Sequence, residues 1–467
     1  MAKVLVIGAG LAGSEVAWSL AHQGIHVVLV ESKKMRLNPA QKLTTAAELV
    51  CTNSLKSQQP HSAHGVLKFE MKALGSLILQ MGELHQVPAG DALAVDREKF
   101  SIAIDQSLRS HPLIEWVDRE IENPEQAKAE FQATHVVVAT GPLTHGPLQN
   151  WLARELASNI LDNGEDLYFY DAIAPVVEAE SLDFGQLFFK DRYKDLSENE
   201  QADYLNAPMD KQQYLDFIEA LRTAEKVAPR DFEEAHFFES CLPIDLMAER
   251  GIETARFGPM KPIGLGMGRV TRPYAVVQLR RENLLGEAFN LVGFQTRLTY
   301  PEQQRVFRMI PGLEKASFLH MGSVHRNTFV NSQKLLNSDL SSKKFPWLYL
   351  AGQITGVEGY TESAAMGQYV GLQIGRNVLG QGPLTFPTET AMGALINYLM
   401  TWQRPVPSNF NFGLVPPVIV EHKKLRGGLK KKAKKELAAQ RANEVFTAFL
   451  ATNTPLKTKD EGPSLIR

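Results

Sequence analysis

The first thirty-one residues constrain the fold more than any other part of the chain, because they join an apolar run to closely spaced glycines. Residues 3–13 read KVLVIGAGLAG, so Gly8, Gly10 and Gly13 follow a run rich in β-branched residues and open an amphipathic segment. A G-x-G-x-x-G spacing between a strand and a helix is typical of a turn that binds the pyrophosphate of a dinucleotide. The sequence therefore predicts a strand–helix–strand unit of the Rossmann type at the start of the chain.

The residues of this turn have separate expected roles. Gly8 permits the tight turn, Gly10 lets the backbone approach the pyrophosphate, and Gly13 brings the helix against the strand. Glu31 ends the second strand, where its carboxylate can accept hydrogen bonds from both hydroxyls of a ribose. An ordinary glycine-containing turn is the alternative. The residues expected to bind the dinucleotide here are Gly8, Ala9, Gly10, Leu11, Ala12, Gly13 and Glu31.

Length and composition narrow the class of protein. With 467 residues, 44% of them apolar, the chain can form two or three domains with hydrophobic cores. The 50 basic and 52 acidic residues nearly balance, so a nucleic-acid partner would have to bind a local patch. The chain starts on a core strand rather than a signal peptide, and no apolar run reaches the ~18 residues that span a bilayer. We expect a cytoplasmic protein with no membrane partner and no metal site.

The middle of the chain differs in pattern from both flanks. A buried strand is predicted at residues 134–142, and aromatic-rich strands with a polar helix follow. The GLGMG run at residues 264–268 is not a second fingerprint, because Pro273 follows it too closely for the required helix to begin. The segments YAVVQLR and AFNLVGFQ are expected to form a hairpin. Residues 347–379 then return to the first domain with a strand, a glycine-rich loop and a helix of small residues, which either completes the cofactor site or only packs closely.

Two cysteines are too few for a disulfide framework, so each is considered as a reactive thiol. Cys51 stands at a loop or helix end, where helix N–H groups or Lys56 can activate it. Cys241 directly precedes a Leu-Pro pair and a new helix. An isolated cysteine is otherwise more often buried and inert.

The sequence also contains two helical patterns and one basic run. Residues 65–84 have apolar residues at helical spacing and are predicted to form one helix that covers the site. Asp96 is expected to cap a helix, although Asp96 and Arg97 could instead meet the cofactor. Residues 422–435 read HKKLRGGLKKKAKK and hold eight basic residues and no acid. This run is either a phosphate-binding arm or only a solvated helix face or disordered end.

Several segments together resemble one family, the folate- and FAD-dependent tRNA uracil-5-methyltransferases. They include GAGLAGSEVAW, ELVCTNSL, VPAGDALAVDR, CLPIDLMAERG, HRNTFVNS and AGQITGVEGYTESAA, and the resemblance runs from Met1 to about Pro417. Departures are small: Thr52 stands where the family often has Ser, and LPID follows Cys241 where MPIE is usual. The basic run lies beyond the shared pattern.

The resemblance implies transfer of a methylene group from 5,10-methylenetetrahydrofolate to C5 of the T-loop uridine of tRNA. FAD would reduce the carbon to methyl, and NAD(P)H would recharge the flavin. By motif match, Cys51 is the nucleophile that adds to C6 of uracil and Cys241 is the acid or base. Gly352 and Gln353 are expected at the flavin, and Tyr360 is expected to stack on the folate or flavin ring. The alternatives are the same chemistry on ribosomal RNA, the related flavoprotein of the tRNA wobble uridine, a flavin oxidoreductase without RNA, and a flavin-binding scaffold.

The expected fold class is therefore α/β, with a Rossmann-like FAD-binding domain built on a doubly wound parallel sheet and an inserted α+β domain. The expected boundaries are residues 1–150 for the first part of the FAD-binding domain, 151–330 for an inserted domain facing substrate RNA, 331–420 for the second part, and 421–467 for the basic tail.

Overall fold

A computed structural model describes residues 2–38, 41–157, 168–192, 202–227, 242–265, 273–283, 285–401, 407–419 and 427–453. The strands in these ranges are β1 (Lys3–Ile7), β2 (His26–Glu31), β3 (Ser54–Ser57), β4 (Gln86–Val87), β5 (Ala92–Val95), β6 (Ile114–Asp118), β7 (His135–Val138), β8 (Tyr168–Ile173), β9 (Val176–Glu178), β10 (Phe188–Phe189), β11 (Tyr204–Met209), β12 (Ala275–Arg281), β13 (Ala288–Leu291), β14 (Phe318–His320), β15 (Ser323–Thr328) and β16 (Leu348–Leu350).

The helices in the same ranges are α1 (Leu11–His22), α2 (Ala63–Ala73), α3 (Leu77–Leu84), α4 (Arg97–Ser110), α5 (Pro124–Glu130), α6 (Gly146–Ala157), α7 (Lys211–Thr223), α8 (Ile244–Arg250), α9 (Thr254–Phe257), α10 (Tyr300–Phe307), α11 (Ser332–Leu335), α12 (Tyr360–Val378), α13 (Ala391–Thr401) and α14 (Gly427–Thr452). In the part of the chain that the structure describes, no helix combines the length and the apolar character that crossing a membrane requires.

A five-stranded sheet organises the first part of the molecule. Its order is β16-β7-β1-β2-β6, and all neighbouring strands are parallel. Strand β1 is central because its apolar run is fully buried, with Val4, Leu5 and Val6 at 0% exposure. Strand β16 joins this sheet from more than 200 positions further along the chain than β7, so the chain returns to the N-terminal unit as predicted.

Helices α1 and α12 approach closely, and this explains the small residues of α12. A Cβ added at Gly367 would lie 2.2 Å from the carbonyl oxygen of Ala12, which leaves no room for any side chain. A Cβ at Gly371 would lie 2.7 Å from the Cβ of Ser19. The helix of small residues therefore packs directly against the helix of the glycine turn.

A second sheet has its own core. Its order is β10-β11-β12-β13-β9-β14, and the strands are antiparallel. Val277, Leu279 and Phe289 from the sheet pack with Tyr214 and Phe217 of α7 in a cluster separate from that of the parallel sheet. The predicted hairpin is confirmed as β12 and β13. The predicted fold class, an α/β unit on a parallel sheet with an α+β insertion, is thus confirmed, while the domain boundaries stay a prediction.

Two local predictions on helices have different outcomes. The single helix predicted at residues 65–84 is wrong, because α2 ends at Ala73 and α3 begins at Leu77. Gly75 interrupts the helix at φ +79°, and the Ser76 side chain accepts from the Leu79 N–H to cap the new helix. Asp96 caps α4 as predicted, accepting from the Lys99 N–H at 3.2 Å.

Candidate functional site

The glycine turn has the backbone that its sequence predicts. Gly8 has φ +98°, and α1 begins at Leu11 after Gly10 as N-cap. A Cβ added at Gly13 would lie 1.8 Å from the Gly8 carbonyl oxygen, so helix and strand meet only because Gly13 lacks a side chain. By helix geometry the first N–H groups of α1 have no intrahelical partner, and they form an anion-binding end.

Glu31 has a second role, in fixing the glycine turn, that the sequence does not predict. Its carboxylate accepts from the Ala9 N–H at 2.7 Å, the Ser32 N–H at 2.7 Å and the Lys33 N–H at 3.1 Å. The side chain therefore joins the end of β2 to the glycine turn. Oε1 accepts from Ser32 and Lys33, and Oε2 accepts from Ala9, so Oε2 keeps a lone pair for a ribose hydroxyl. Glu31 is 7% exposed and lines the cavity described next.

A cavity of about 1250 Å³, open to solvent, lies at the carboxyl ends of the parallel strands. Ligands of open α/β sheets bind at this edge, outside the carboxyl ends of the strands. Ala9 and Gly13 lie inside the turn and do not line it. The other predicted cofactor residues all line it, namely Gly8, Gly10, Leu11, Ala12, Glu31, Gly352, Gln353 and Tyr360. The structure thus brings together sequence segments that are more than 300 residues apart.

The cavity fits the dinucleotide that the turn predicts. The atom nearest to a Cβ added at Gly10 is the Ala139 carbonyl oxygen at 3.9 Å, so the backbone of Gly10 is open to a ligand on this side. Gly352 has φ +84°, and a Cβ there would lie 2.7 Å from the Cβ of Ala12, so its missing side chain lets the loop after β16 approach α1 at the cavity.

Tyr360 connects this cavity to Cys51. Its hydroxyl oxygen accepts from the Cys51 N–H at 2.5 Å and from the Thr52 N–H at 3.3 Å. Burial, followed by the nearby Cys51 thiol, raises the pKa of Tyr360 well above its usual value, so the phenol stays protonated at neutral pH. Cys51 itself is buried at 8% exposure. The predicted nucleophile and the predicted ring-stacking residue are therefore neighbours.

Residues 49–53, here named the Cys51 segment, are held from a second side by Arg97. Its guanidinium donates to the Leu49 carbonyl at 2.9 Å and to both oxygens of Glu282 at 2.7 and 3.1 Å. Burial disfavours the charged guanidinium, but the Glu282 carboxylate outweighs this effect and raises the pKa of Arg97. The pair joins α4 to the residue that follows β12. The sequence does not predict that Arg97 holds residues 49–53.

Arg280 holds the Cys51 segment from a third side. Its guanidinium donates to Asn53 Oδ1 at 2.9 Å and to Thr52 Oγ1 at 2.5 Å. The Asn53 amide in turn donates to the carbonyls of Val95 at 3.1 Å and Arg281 at 2.9 Å. Arg280 is 6% exposed and belongs to the antiparallel sheet. No sequence signal identifies it, because its partners are 227 and 228 positions away.

Cys241 lies outside the residues that the structure describes, so its role as acid or base stays a prediction. The helix expected after it is α8, which begins at Ile244.

The parallel sheet, the glycine turn and the cavity at its edge define a Rossmann-type dinucleotide-binding protein. Among solved structures, GidA of Aquifex aeolicus in its form I crystal is similar, with a TM-score of 0.66 and 16% identity over 96% of this chain and 76% of that one. Its form II crystal has a TM-score of 0.65 and covers 96% and 73%. At this level of identity the similarity shows the fold alone.

Sequence relatives identify the family. The family described as glucose inhibited division protein A matches residues 3–382. The methylenetetrahydrofolate--tRNA-(uracil-5-)-methyltransferase TrmFO of Geobacter sulfurreducens is 48% identical, over 96% of this chain and 99% of the relative. The protein of that name from Aquifex aeolicus is 47% identical, over 97% of each chain. The chain therefore belongs to the glucose inhibited division protein A family and, within it, to the TrmFO family, which confirms the resemblance of its motifs.

Proposed function

We propose that this protein methylates C5 of a uridine in tRNA, with 5,10-methylenetetrahydrofolate as carbon donor, FAD as bound cofactor and NAD(P)H as reductant. The observation that carries the proposal is the contact between Tyr360, which lines the dinucleotide cavity, and the backbone N–H of Cys51. It places the backbone of Cys51 beside a residue that lines the cofactor cavity. The relatives, which are 47–48% identical, are named as methyltransferases that act from methylenetetrahydrofolate on position 5 of uracil in tRNA.

The chemistry requires a thiol because C5 of uracil is a poor nucleophile. Attack of the Cys51 thiolate on C6 forms a C–S bond and moves the C5–C6 π electrons to C5 as an enolate. C5 then bonds to the methylene carbon of the donor. The C5 proton passes to a base as the bond from that carbon to its carrier nitrogen breaks, which leaves an exocyclic methylene on the ring. A reduced flavin, recharged by NAD(P)H, would supply the hydride that converts this methylene to methyl as the C–S bond breaks and the thiolate is regenerated. Cys241 is the proposed base, since Tyr360 keeps its own proton at neutral pH.

The Cys51 segment is proposed to act as a fixed support for this attack. Arg97, Arg280 and Tyr360 hold its backbone and flanking side chains from three elements. A nucleophile held in this way loses little further freedom when the base arrives, which lowers the barrier to attack. The three residues are positioning residues in this proposal.

The residues that would hold FAD follow from the cavity. The N–H groups at the start of α1 would bind the pyrophosphate, and Glu31 the ribose. Gly352, Gln353 and the start of α12 would lie at the flavin, whose electron-rich reduced edge is stabilised by helix N–H groups. The nicotinamide reductant is proposed to dock without a Rossmann domain of its own.

The target base has to leave its stack to reach Cys51. Enzymes that modify a base within folded RNA extrude the nucleotide, at a cost of a few kcal/mol that phosphate contacts offset. A uridine of the T-loop is the proposed target, and the cytoplasm is the proposed location.

Mapping of 5-methyluridine in tRNA and ribosomal RNA tests the function. We expect a strain lacking the protein to lose the modified T-loop uridine of tRNA. The wild-type gene should restore it and Cys51→Ala should not. Loss confined to ribosomal RNA would mean that ribosomal RNA, and not tRNA, is the substrate. Unchanged RNA in the deletion strain would leave two functions, a flavin oxidoreductase that does not act on RNA or a flavin-binding scaffold.

A further inference from the structure

A second cavity lies between the start of α2 and the tail helix α14. It encloses about 1390 Å³ open to solvent, and we name it the α2–α14 cavity. Its lining includes Ser57, His61 and His64 on one side and Lys432 and Lys435 on the other. This cavity shares no lining residue with the dinucleotide cavity, so the proposed FAD site does not account for it.

The lysines that face this cavity continue a buried face of α14. Ala439, Ala442 and Phe446 are fully buried, and Phe446 packs edge-on against Phe69 of α2 with ring centroids 6.2 Å apart. Positions 432, 435, 439, 442 and 446 recur at spacings of three and four, which places them on one face of the helix. This face is therefore apolar where it meets α2 and basic where it lies over the cavity. Lys432 and Lys435 are exposed, the Lys432 side chain at 75%, so both can reach an anion at the mouth of the cavity.

The charges around the cavity favour an anion. Among the residues that line it, Glu436 is the one acid, and it pairs with Lys432 at 3.9 Å. The opposite wall is the N-terminal end of α2, whose helix dipole adds positive potential. Serine, glutamine and asparagine side chains also line the space, and such groups together with lysine are common donors to phosphate oxygens.

The cavity is near the proposed reaction centre. Ser57 ends the strand that follows Cys51, six residues further on, so the two are at most about 22 Å apart by chain reach. Behind the wall, His64 lies 3.5 Å from Glu362 in the first turn of α12, the helix that begins at Tyr360. An RNA strand that places a base at Cys51 can thus reach the cavity.

We propose that the α2–α14 cavity binds a backbone phosphate of the substrate RNA, with Lys435 as the principal contact and Lys432 as the second. This inference rests on the proposed function, since it assigns the phosphate to the same RNA. It deepens that function by giving the two cavity-lining lysines of the basic tail a defined ligand.

The test compares two adjacent lysines. The affinity of the FAD-loaded protein for an unmodified tRNA transcript is measured over a series of salt concentrations for wild type, Lys435→Gln and Lys434→Gln. Lys434 is exposed on the same helix and does not line the cavity. We expect Lys435→Gln to weaken binding several-fold and to lower the slope of log affinity against log salt by about one, with Lys434→Gln close to wild type.

Further variants and readouts separate the possible results. Lys432→Gln combined with Lys435→Gln should lower the slope by about two. If Lys434→Gln and Lys435→Gln lose equal affinity for tRNA, the effect comes from overall positive charge and not from the cavity. That result would overturn the inference, while the proposed function would stand. If the wild-type protein does not bind tRNA at all, the proposed function fails with it. Flavin content should be unchanged in every variant.

Discussion

The glycine turn and the Cys51 segment are both parts of the site, but they are built in different ways. The turn is formed by residues of the first strand–helix–strand unit, and the bond from Ala9 to Glu31 spans only 22 positions. The Cys51 segment is held by bonds that span 48, 228 and 309 positions. The glycine turn is therefore determined by neighbouring residues, whereas the contacts of the Cys51 segment form only once both sheets have formed.

The two regions also depend on opposite chemical features. The turn needs the absence of side chains, because helix, strand and ligand approach one another through backbone atoms. The Cys51 segment needs particular buried side chains, because each polar partner that is removed leaves another group unsatisfied. Changes in the turn should therefore affect folding and flavin binding, and changes around the Cys51 segment should affect methylation.

The largest effect is expected inside the turn itself. Gly13→Ala sets a Cβ 1.8 Å from the Gly8 carbonyl oxygen, and we expect a loss of more than about 3 kcal/mol in the free energy of unfolding together with loss of flavin. Gly10→Ala is the matched control, because its Cβ meets protein atoms only at 3.9 Å but enters the ligand side. It should fold normally and retain little flavin. Thermal unfolding measures the stability of each variant, and the ratio of flavin to protein measures cofactor binding. A Gly10→Ala protein that retains full flavin would contradict the proposed contact between Gly10 and the cofactor.

The next effect concerns pH. Burial raises the pKa of Glu15 in α1 to about 7, partly offset by hydrogen bonds from Ser76, Ile78 and Leu77. A pKa raised from 4.5 means that its stabilising contribution is complete below pH 4.5 and is lost as pH rises through 7. The shift corresponds to roughly 3 kcal/mol. We expect the stability difference between wild type and Glu15→Gln to change by about this amount from pH 4.5 to 8, as measured by denaturant unfolding.

Glu362, two residues after Tyr360, has a pKa that is shifted in the opposite direction to that of Glu15. Burial opposes its ionisation, but Lys56 and His64 outweigh this effect and lower its pKa to about 2. Its contribution is therefore present above pH 4.5 and is lost only as pH falls towards 2. The stability difference between wild type and Glu362→Gln should grow as pH rises from about 2 to 4.5, the opposite direction to that of Glu15→Gln. No slope in that range, or none for Glu15→Gln from pH 4.5 to 8, would contradict the assigned charge states.

A moderate effect on catalysis is expected at Arg280. Arg280→Lys keeps the charge but cannot donate to both Asn53 and Thr52, so one acceptor loses its partner. We expect kcat for methylation to fall about 30-fold, corresponding to ~2 kcal/mol, with flavin content unchanged. Arg281→Lys is the control, since that guanidinium lies over the Phe189 ring at 5.5 Å instead. Equal kcat values for the two variants would remove Arg280 from the support of the Cys51 segment.

The smallest effect is expected at the Tyr360 hydroxyl. Tyr360→Phe keeps the ring at the cavity but removes the acceptor of the Cys51 and Thr52 N–H groups. We expect methylation to slow about fivefold, or ~1 kcal/mol, with flavin affinity unchanged. Tyr369→Phe on the same helix removes a hydroxyl that donates to Ser338 and should leave the rate unchanged. A loss of flavin from Tyr360→Phe would show that the hydroxyl serves the cofactor rather than Cys51.

The features predictable from sequence are those that neighbouring residues determine. The turn at Gly8, Gly10 and Gly13, the returning helix and the cap at Asp96 each follow from spacing or residue type over a short stretch. The break between α2 and α3 was missed because hydrophobic spacing continues across Gly75, whose positive φ ends the helix. Apolar periodicity alone does not register such a break.

The features that could not be predicted depend on distant partners. Arg280 and Arg97 are ordinary basic residues in the sequence, and only the packing of β12 and α4 around residues 49–53 gives them a role. The contacts of the Tyr360 hydroxyl and the placement of Lys432 and Lys435 at a cavity also depend on distant partners. The motif resemblance identified Cys51 and Tyr360, but it contained no information on what holds them.

The central claim is that the Cys51 thiol and the cofactor cavity have separable roles in methylating one substrate. The thiol activates the uridine, and the cavity binds the flavin. The most direct measurement uses purified wild type and Cys51→Ala with 5,10-methylenetetrahydrofolate, NAD(P)H and unmodified tRNA, and determines bound flavin, NAD(P)H oxidation and 5-methyluridine. We predict that Cys51→Ala keeps its flavin and oxidises NAD(P)H but forms no 5-methyluridine. Formation of 5-methyluridine by Cys51→Ala at the wild-type rate, or a wild-type protein that purifies without flavin, would contradict the account.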